Sequence, residues 1–205
     1  MVEIMIVVCL LVTTVILCLP TIFNNSKEAR IIAGWKRLFL EAQTNFEVFN
    51  ISDAELIRSV CKTDVEDKEN EIFKIIAPYL NVDLSKSTKS LKSYHYKFKN
   101  GSQVPMQSNI FTKLWAYQEN GNIVGFKWLD CNCTETKPCA AALFDMNGVK
   151  PPNRIGRDIF GIYLYRNRIA AFGSEETDGD KLEKDCDGHT SGMGCSEYYL
   201  RGGKF

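Results

Sequence analysis

The chain begins with a long apolar run. From Ile4 to Ser26 the chain has no charged side chain, and the part up to Leu19 is almost wholly aliphatic. Because a helix rises about 1.5 Å per residue, this stretch approaches the roughly 30 Å thickness of a bilayer's hydrocarbon core. A buried core helix would be striped rather than apolar all round, and a secretory signal would place basic residues where Glu3 stands. The pattern predicts a transmembrane helix over residues 1–23.

The apolar pattern then narrows to one stripe over residues 24–50. Charged residues take the other faces, as in a helix that packs on a domain. We predict one long helix whose membrane half continues into an amphipathic half, with a kink at Pro20. The stripe recurs at steps of three and four: Ile31, Trp35, Leu38, Phe39, Ala42, Phe46 and Phe49.

The remaining residues, 51–205, predict a globular α+β head. "DAELIRSVC" and "NEIFKIIAPYL" have helical spacing. Strand patterns follow in "YHYKFK", "IFTKLWAYQ", "IVGFKWLD", "AALFDM", "IFGIYLYRN" and "RIAAFG". Asn120 and Gly121 predict a hairpin turn between the second and third of these. The order predicts a long helix packed on an antiparallel sheet.

The N-terminal helix resembles that of type IV pilins and pseudopilins. Mature chains of that family begin Phe-Thr-Leu-x-Glu, continue with an aliphatic run and carry a proline seventeen residues after the glutamate. Glu3 and Pro20 match both residue types and their spacing. Met1 then aligns with the third mature residue. The resemblance implies an upstream leader, cut by a prepilin peptidase, with prepilin-type methylation of the new N-terminus.

A second resemblance lies in the C-terminal third. "DMNGVKPPNRIGRDIFGIYLYRNRIAAFGS" together with "DGHTSGMGCSEYYLRGG" is similar to a pilin-type subgroup of bacterial proteins. Both resemblances imply a pilin-like fold and a structural subunit of a type IV pilus-like filament. They imply a single-pass protein of the bacterial inner membrane that assembles with copies of itself or other pilins. Its head would lie in the periplasm or, within a filament, on the cell surface.

The resemblance gives Glu3 a role in assembly register. In that family the glutamate neutralises the N-terminal amine of a neighbouring subunit. An unpaired charge is costly in lipid, so pairing the two offsets the cost and selects one register. The alternative is a glutamate that reaches the membrane surface and has no partner.

Eight cysteines divide into two groups. Cys9 and Cys18 lie in the apolar run and are expected to act as small apolar side chains. The other six predict disulfides in an oxidising compartment, with Cys186 and Cys195 closing a short loop. The remaining four allow three pairings, among them a bridge from Cys61 to one of Cys131, Cys133 and Cys139. A zinc site formed by these last three with His95 or His189 is the alternative.

The basic residues next to the apolar segment conflict with the oxidising compartment that the cysteines predict for the head. Lys27, Arg30, Lys36 and Arg37 follow the segment, and the positive-inside rule would then place the head in the cytoplasm. A basic leader upstream of Met1, as the resemblance implies, would remove the conflict.

Oxygen-rich loops are candidates for calcium, which needs six to eight oxygen ligands. The candidate residues are Asp145, Asn147, Asp158, Asp178 and Asp180. Some pseudopilins of secretion systems hold calcium in a C-terminal loop. No EF-hand pattern is present, and turn formation is the preferred explanation of these residues.

A lysine- and aromatic-rich strip precedes the hairpin. It suits DNA, through phosphate contacts and base stacking. It suits equally an acidic segment, Glu175 to Asp187, on a neighbouring subunit, and this second use accounts better for a net charge of zero. The residues concerned are Lys86, Lys89, Lys92, Tyr94, Tyr96, Lys97 and Lys99.

The sequence offers no enzyme motif. It has no phosphate-binding glycine loop, no nucleophile elbow and no zinc-protease helix. We therefore expect a filament subunit rather than an enzyme. A pseudopilin of a type II secretion system and a membrane-anchored binding module that does not polymerise remain as alternatives.

Overall fold

One long helix opens the chain. The structure, a computed structural model, describes residues 2–82, 84, 85, 91 and 94–204, and up to residue 25 it describes the helix without its side chains. Helix α1 spans Val2–Ser52. From Ser26 on, where side chains are described, no helix has the length and apolar character needed to cross a membrane. The predicted membrane half, with Glu3 and Pro20, lies outside that part of the chain.

Short helices and a five-stranded sheet follow α1. Helices α2 (Ala54–Lys62) and α3 (Lys68–Ile76) lead into a 3₁₀ turn at Ala77–Leu80. The strands are β1 (Leu114–Tyr117), β2 (Ile123–Trp128), β3 (Ala140–Asp145), β4 (Ile159–Leu164) and β5 (Ile169–Ala171). Helices α4 (Gly179–Asp185) and α5 (Cys195–Leu200) complete the regular structure of the described residues.

The sheet is a simple meander in which each strand pairs with the next. All four pairings are antiparallel, in the order β1-β2-β3-β4-β5. The predicted hairpin joins β1 to β2, with Gly121 at a positive φ of 87° that its turn requires. The predicted α+β class is therefore confirmed.

Helix α1 covers one face of this sheet. Its stripe is buried at Trp35, Leu38, Ala42, Phe46 and Phe49. The Trp35 ring stacks on Phe160 of β4 at 5.2 Å between centroids, and its Nε1–H donates to the Ser196 carbonyl at 2.9 Å. A single side chain thus joins α1 to both the sheet and α5.

An irregular segment covers the opposite face. Tyr96, Val104 and Ile110 pack there with Trp115 of β1. The Trp115 ring leaves no space for a Cβ at Gly125, which would lie 2.7 Å from it. Since both faces are covered, the strands are buried almost throughout rather than alternately.

The predicted strand "YHYKFK" is wrong. Its aromatic side chains do alternate inward, which produced the pattern, but its backbone bonds to loops instead of a neighbouring strand. The Lys97 N–H donates to Asn153, that of Phe98 to Ser102 and that of Lys99 to Ser191. An alternating pattern of apolar and polar side chains indicates only that one side of a segment is buried. In this segment the burial occurs without pairing to a strand of the sheet.

Three disulfides are present among the residues whose side chains the structure describes, as the six cysteines of the head predicted. They join Cys61 to Cys131, Cys133 to Cys139 and Cys186 to Cys195, over Cα distances of 5.7, 4.9 and 5.3 Å. The first connects α2 to the loop after β2. The cysteines of the alternative zinc site are thereby all occupied in disulfides.

Replacing Trp35 should destabilise the head strongly. Trp35→Ala leaves a cavity and should lower the free energy of unfolding by about 3–5 kcal/mol. Trp35→Phe leaves the Ser196 carbonyl without its donor, which costs about 1–3 kcal/mol. Guanidinium unfolding of the full chain, followed by tryptophan fluorescence, measures both. Leu40→Ala, on the exposed side of α1, is the control and should change stability by less than about 0.5 kcal/mol.

The disulfides should differ in their contribution to stability. The Cys61–Cys131 bridge closes a loop with a sequence separation of 70, against 6 for Cys133–Cys139. The chain-entropy relation then predicts that Cys61→Ser/Cys131→Ser costs about 2 kcal/mol more than Cys133→Ser/Cys139→Ser. Equal losses in urea unfolding of the two double variants would contradict this.

Candidate functional site

The outer face of α1 carries large apolar side chains in contact with solvent. Leu40, Val48 and Ile51 expose 63%, 53% and 89% of their surface. At 100° per residue these three lie within about 80° of one another around the helix. Trp35 and Phe46 lie on the opposite side, against the sheet. Helix α1 therefore also carries large apolar side chains on the side that the head does not cover, where they are interspersed with Thr44 and with Arg37, which pairs with Glu41.

This face suits packing against another helix. Single exposed apolar residues are ordinary, but these three share one side of a helix that continues into the apolar N-terminal segment. The sequence does not predict them, because the stronger apolar stripe on the opposite side of α1 dominates its periodicity. The signal was present as spacings of eight and three, interrupted by Glu41 and Glu47. We call Leu40, Val48 and Ile51 the outer apolar face.

Two buried carboxylates form a polar cluster where β3 ends and β4 begins. Asp145 accepts a hydrogen bond from the Tyr94 hydroxyl and another from the Asn147 N–H at 3.0 Å. Asp158 accepts from the backbone N–H groups of Asn153 at 2.9 Å and Arg154 at 2.7 Å. The two aspartates thereby hold the ends of the loop that joins the strands.

Burial governs the protonation of this cluster. It raises the pKa of Asp145 to about 7, and the bond from Tyr94 only partly opposes the shift. Burial also raises the pKa of Asp158, against the lowering effect of its backbone hydrogen bonds. The pKa of the Tyr94 hydroxyl rises as well, first through burial and then through the charge of Asp145.

The calcium candidates are divided between two places. Asp145, Asn147 and Asp158 belong to the polar cluster, where the Asn147 amide donates to Asp158 at 3.0 Å. Asp178 instead begins α4, where its side chain accepts from the Asp180 N–H.

In the described part of the chain, no three His, Cys, Asp or Glu side chains form a metal-binding group. The side-chain oxygens of Asn147 and Asn153 are buried there without a hydrogen-bond partner. Calcium binding stays a prediction.

The lysine- and aromatic-rich strip is partly internal. Lys86, Lys89 and Lys92 lie outside the described residues. The Tyr96 ring is buried and its hydroxyl donates to the Ile110 carbonyl, while Tyr94 packs on Trp115 at 4.5 Å. These rings are therefore committed to the interior of the head and are not placed to stack on bases.

The two described lysines of the strip differ in their exposure to solvent. Lys97 is exposed, whereas Lys99 is half-buried and its Nζ lies 3.4 Å from the Tyr199 hydroxyl. Burial and then the charge of Arg157 lower the pKa of Lys99, while Asp185 and Asp187 oppose that shift.

The acidic segment is largely used within its own chain. Glu175 pairs with Arg168 at 3.3 Å, and Glu176 pairs with Lys181 at 3.4 Å. Asp185 accepts from the backbone N–H of Gly194 at 2.6 Å. These contacts reduce the charge that the segment could offer to a lysine strip on a neighbouring subunit.

A groove of about 370 Å³ lies beside the Cys61–Cys131 bridge. Its walls are apolar at Phe46, Phe49 and Trp128, and Arg58 and Arg166 add two cations. Arg58 is paired with Glu55 at 2.8 Å. The groove has the size and apolar character of a small-ligand site.

Raising the pH should destabilise the head through Asp145. Between about pH 4 and pH 7 the unfolded chain loses this proton while the folded head retains it. The free energy of unfolding therefore falls as pH rises, by at most about 1.4 kcal/mol per unit from this group. Asp145→Asn should flatten the fall, because an amide does not titrate in this range while its Oδ1 can still accept the hydrogen bond from the Tyr94 hydroxyl. Urea unfolding at pH 5, 6 and 7 measures the slopes. Exposed Asp64→Asn is the control and should keep the wild-type slope; an unchanged slope in Asp145→Asn would overturn the assignment.

Comparisons with known proteins give no relative: no protein-family model, no curated protein and no solved structure matches this chain. The residues and their geometry therefore carry the functional argument.

Proposed function

We propose that this chain is a pilin-like structural subunit of a helical filament. The observation that carries the proposal is the outer apolar face of α1, turned away from the head. In a filament the α1 helices of neighbouring subunits bundle side by side and cover this face. The heads then form the outer layer around the helix bundle.

Three further features support this function. Helix α1 is continuous from Val2 to Ser52, so the apolar N-terminal segment and the packed half belong to one rod. Three disulfides suit a head exported to an oxidising compartment. A single antiparallel sheet packed on α1 matches the architecture that the resemblance implies. The apolar segment anchors each subunit in the inner membrane before it is assembled.

Assembly is the mechanism in this proposal, with no reaction chemistry. Glu3 pairs with the N-terminal amine of a neighbour, and helix packing then extends along the outer apolar face. Within the same family, a pseudopilin of a type II secretion system would use the same contacts in a shorter filament.

Glu3→Ala should leave membrane insertion intact and impair incorporation into filaments.

A second candidate function rests on the groove beside the Cys61–Cys131 bridge. A solitary membrane-anchored module could bind an apolar ligand there without polymerising. The two candidates differ in what covers the outer apolar face of α1. Only the filament buries it against other copies of the chain.

Charges on the outer apolar face should block assembly without unfolding the head. A Leu40→Glu/Ile51→Glu variant would bury unpaired carboxylates between helices, at a cost of several kcal/mol per charge. Filaments sheared from cells and pelleted should then contain little of this variant. Its unfolding free energy should remain within about 0.5 kcal/mol of the wild type for each substitution, because both sites are exposed in the subunit.

A matched variant tests the specificity of that effect. Met106→Glu/Val149→Glu adds the same charges at apolar residues that are 72% and 52% exposed elsewhere on the head. This variant should assemble normally. Normal incorporation of Leu40→Glu/Ile51→Glu would sink the filament proposal and favour the solitary module.

A further inference from the structure

Three cations gather where the head meets the first described turns of α1. Lys27 and Arg30 are exposed and lie one turn apart on the helix. Arg157, exposed on the loop between β3 and β4, lines a cleft of about 120 Å³ together with Lys27, Ile31 and Pro152. The loop therefore packs against α1 at this level and adds its guanidinium to the helix's own charges.

These cations lack local compensation. Within the described residues, none of Lys27, Arg30 and Arg157 forms an ion pair. Two acids also line the cleft. Asp158 is buried and its oxygens already accept backbone N–H groups. Glu28 is thus left as the counter-charge to Lys27 and Arg157 in the cleft, and Arg30 adds a third cation one turn further along α1.

Helix geometry places these cations at a particular depth. The uncharged stretch from Ile4 to Ser26 is 23 residues long. At about 1.5 Å per residue it would extend about 34 Å, slightly more than the hydrocarbon core of a bilayer. Lys27 and Arg30 would then emerge among the lipid headgroups. Arg157 would lie at the same level because it shares a cleft with Lys27.

We propose that Lys27, Arg30 and Arg157 form a basic collar that binds the phosphate groups of anionic phospholipids. This inference rests on the proposed membrane anchoring of the N-terminal segment and deepens it. Headgroup contacts on α1 and on the loop fix how the head sits on the bilayer before assembly. These contacts also give a role to the cations that directly follow the apolar segment, which lie on the same side of the membrane as the disulfides of the head.

The test compares lipids that differ only in their headgroups. The full chain is purified in a neutral detergent with equal amounts of phosphatidylglycerol and phosphatidylcholine of identical acyl chains. Native mass spectrometry then counts the molecules of each lipid retained per protein. Wild-type protein should retain phosphatidylglycerol preferentially. Each basic side chain at an anionic surface contributes about fivefold in affinity, so Lys27→Gln/Arg157→Gln should weaken retention by an order of magnitude or more.

Two further variants separate charge from structure. Lys27→Arg/Arg157→Lys keeps both charges and should keep the preference for phosphatidylglycerol. Lys62→Gln/Lys113→Gln removes two exposed cations elsewhere on the head and should also keep it. Equal retention of the two lipids by wild type, or an unchanged preference in Lys27→Gln/Arg157→Gln, would overturn the collar.

Competitors identify the source of the phosphate. Millimolar glycerol phosphate should not displace the lipid, and displacement would assign the cleft to a soluble anion instead. Displacement by a DNA oligonucleotide would assign it to nucleic acid. A chain that fails to enter membranes at all would overturn the proposed anchoring itself, whereas a chain that inserts without headgroup preference would overturn the collar alone.

Discussion

The docking of Trp35 on the sheet is the contact on which the rest of the head depends. The indole ring stacks on Phe160 and its N–H bonds to Ser196, so one residue fixes α1 against β4 and against α5. Because α1 is a single helix, this contact also sets which residues face outward. Leu40, Val48 and Ile51 are exposed as a direct consequence of the side that Trp35 occupies.

The polar cluster buries two carboxylates unfavourably, and it also fixes the loop between β3 and β4. Burying Asp145 and Asp158 away from water is unfavourable for their charged forms, as their raised pKa values indicate. In return, Asp158 binds the N–H groups of Asn153 and Arg154 and fixes the loop between β3 and β4. Arg157 belongs to that loop. The buried carboxylate therefore helps to place an exposed cation beside Lys27.

Local periodicity predicted most of the fold, and non-local pairing explains where it failed. The strands β1 to β5, the helices α2 and α3, and the buried stripe of α1 all overlap the predicted segments, although β3, α2 and α3 extend one or two residues beyond them. The segment Tyr94–Lys99 has the same alternation, yet loops at Ser102, Asn153 and Ser191 take its hydrogen bonds. The periodicity of a segment does not indicate which residues elsewhere in the chain will form hydrogen bonds with its backbone. The cleft shared by Lys27 and Arg157 was beyond sequence reasoning for the same reason.

The disulfides and the cations impose opposite demands on orientation. Cys61 and Cys131 are bonded across a sequence separation of 70, which suits an oxidising compartment. Lys27 and Arg30 precede them directly after the apolar segment, where basic residues normally favour the cytoplasmic side. The export of the head that the proposed function requires therefore works against these charges unless they gain something after insertion. Contact with headgroup phosphates would supply that gain, because the same charges that hinder translocation then stabilise the exported head at the membrane surface.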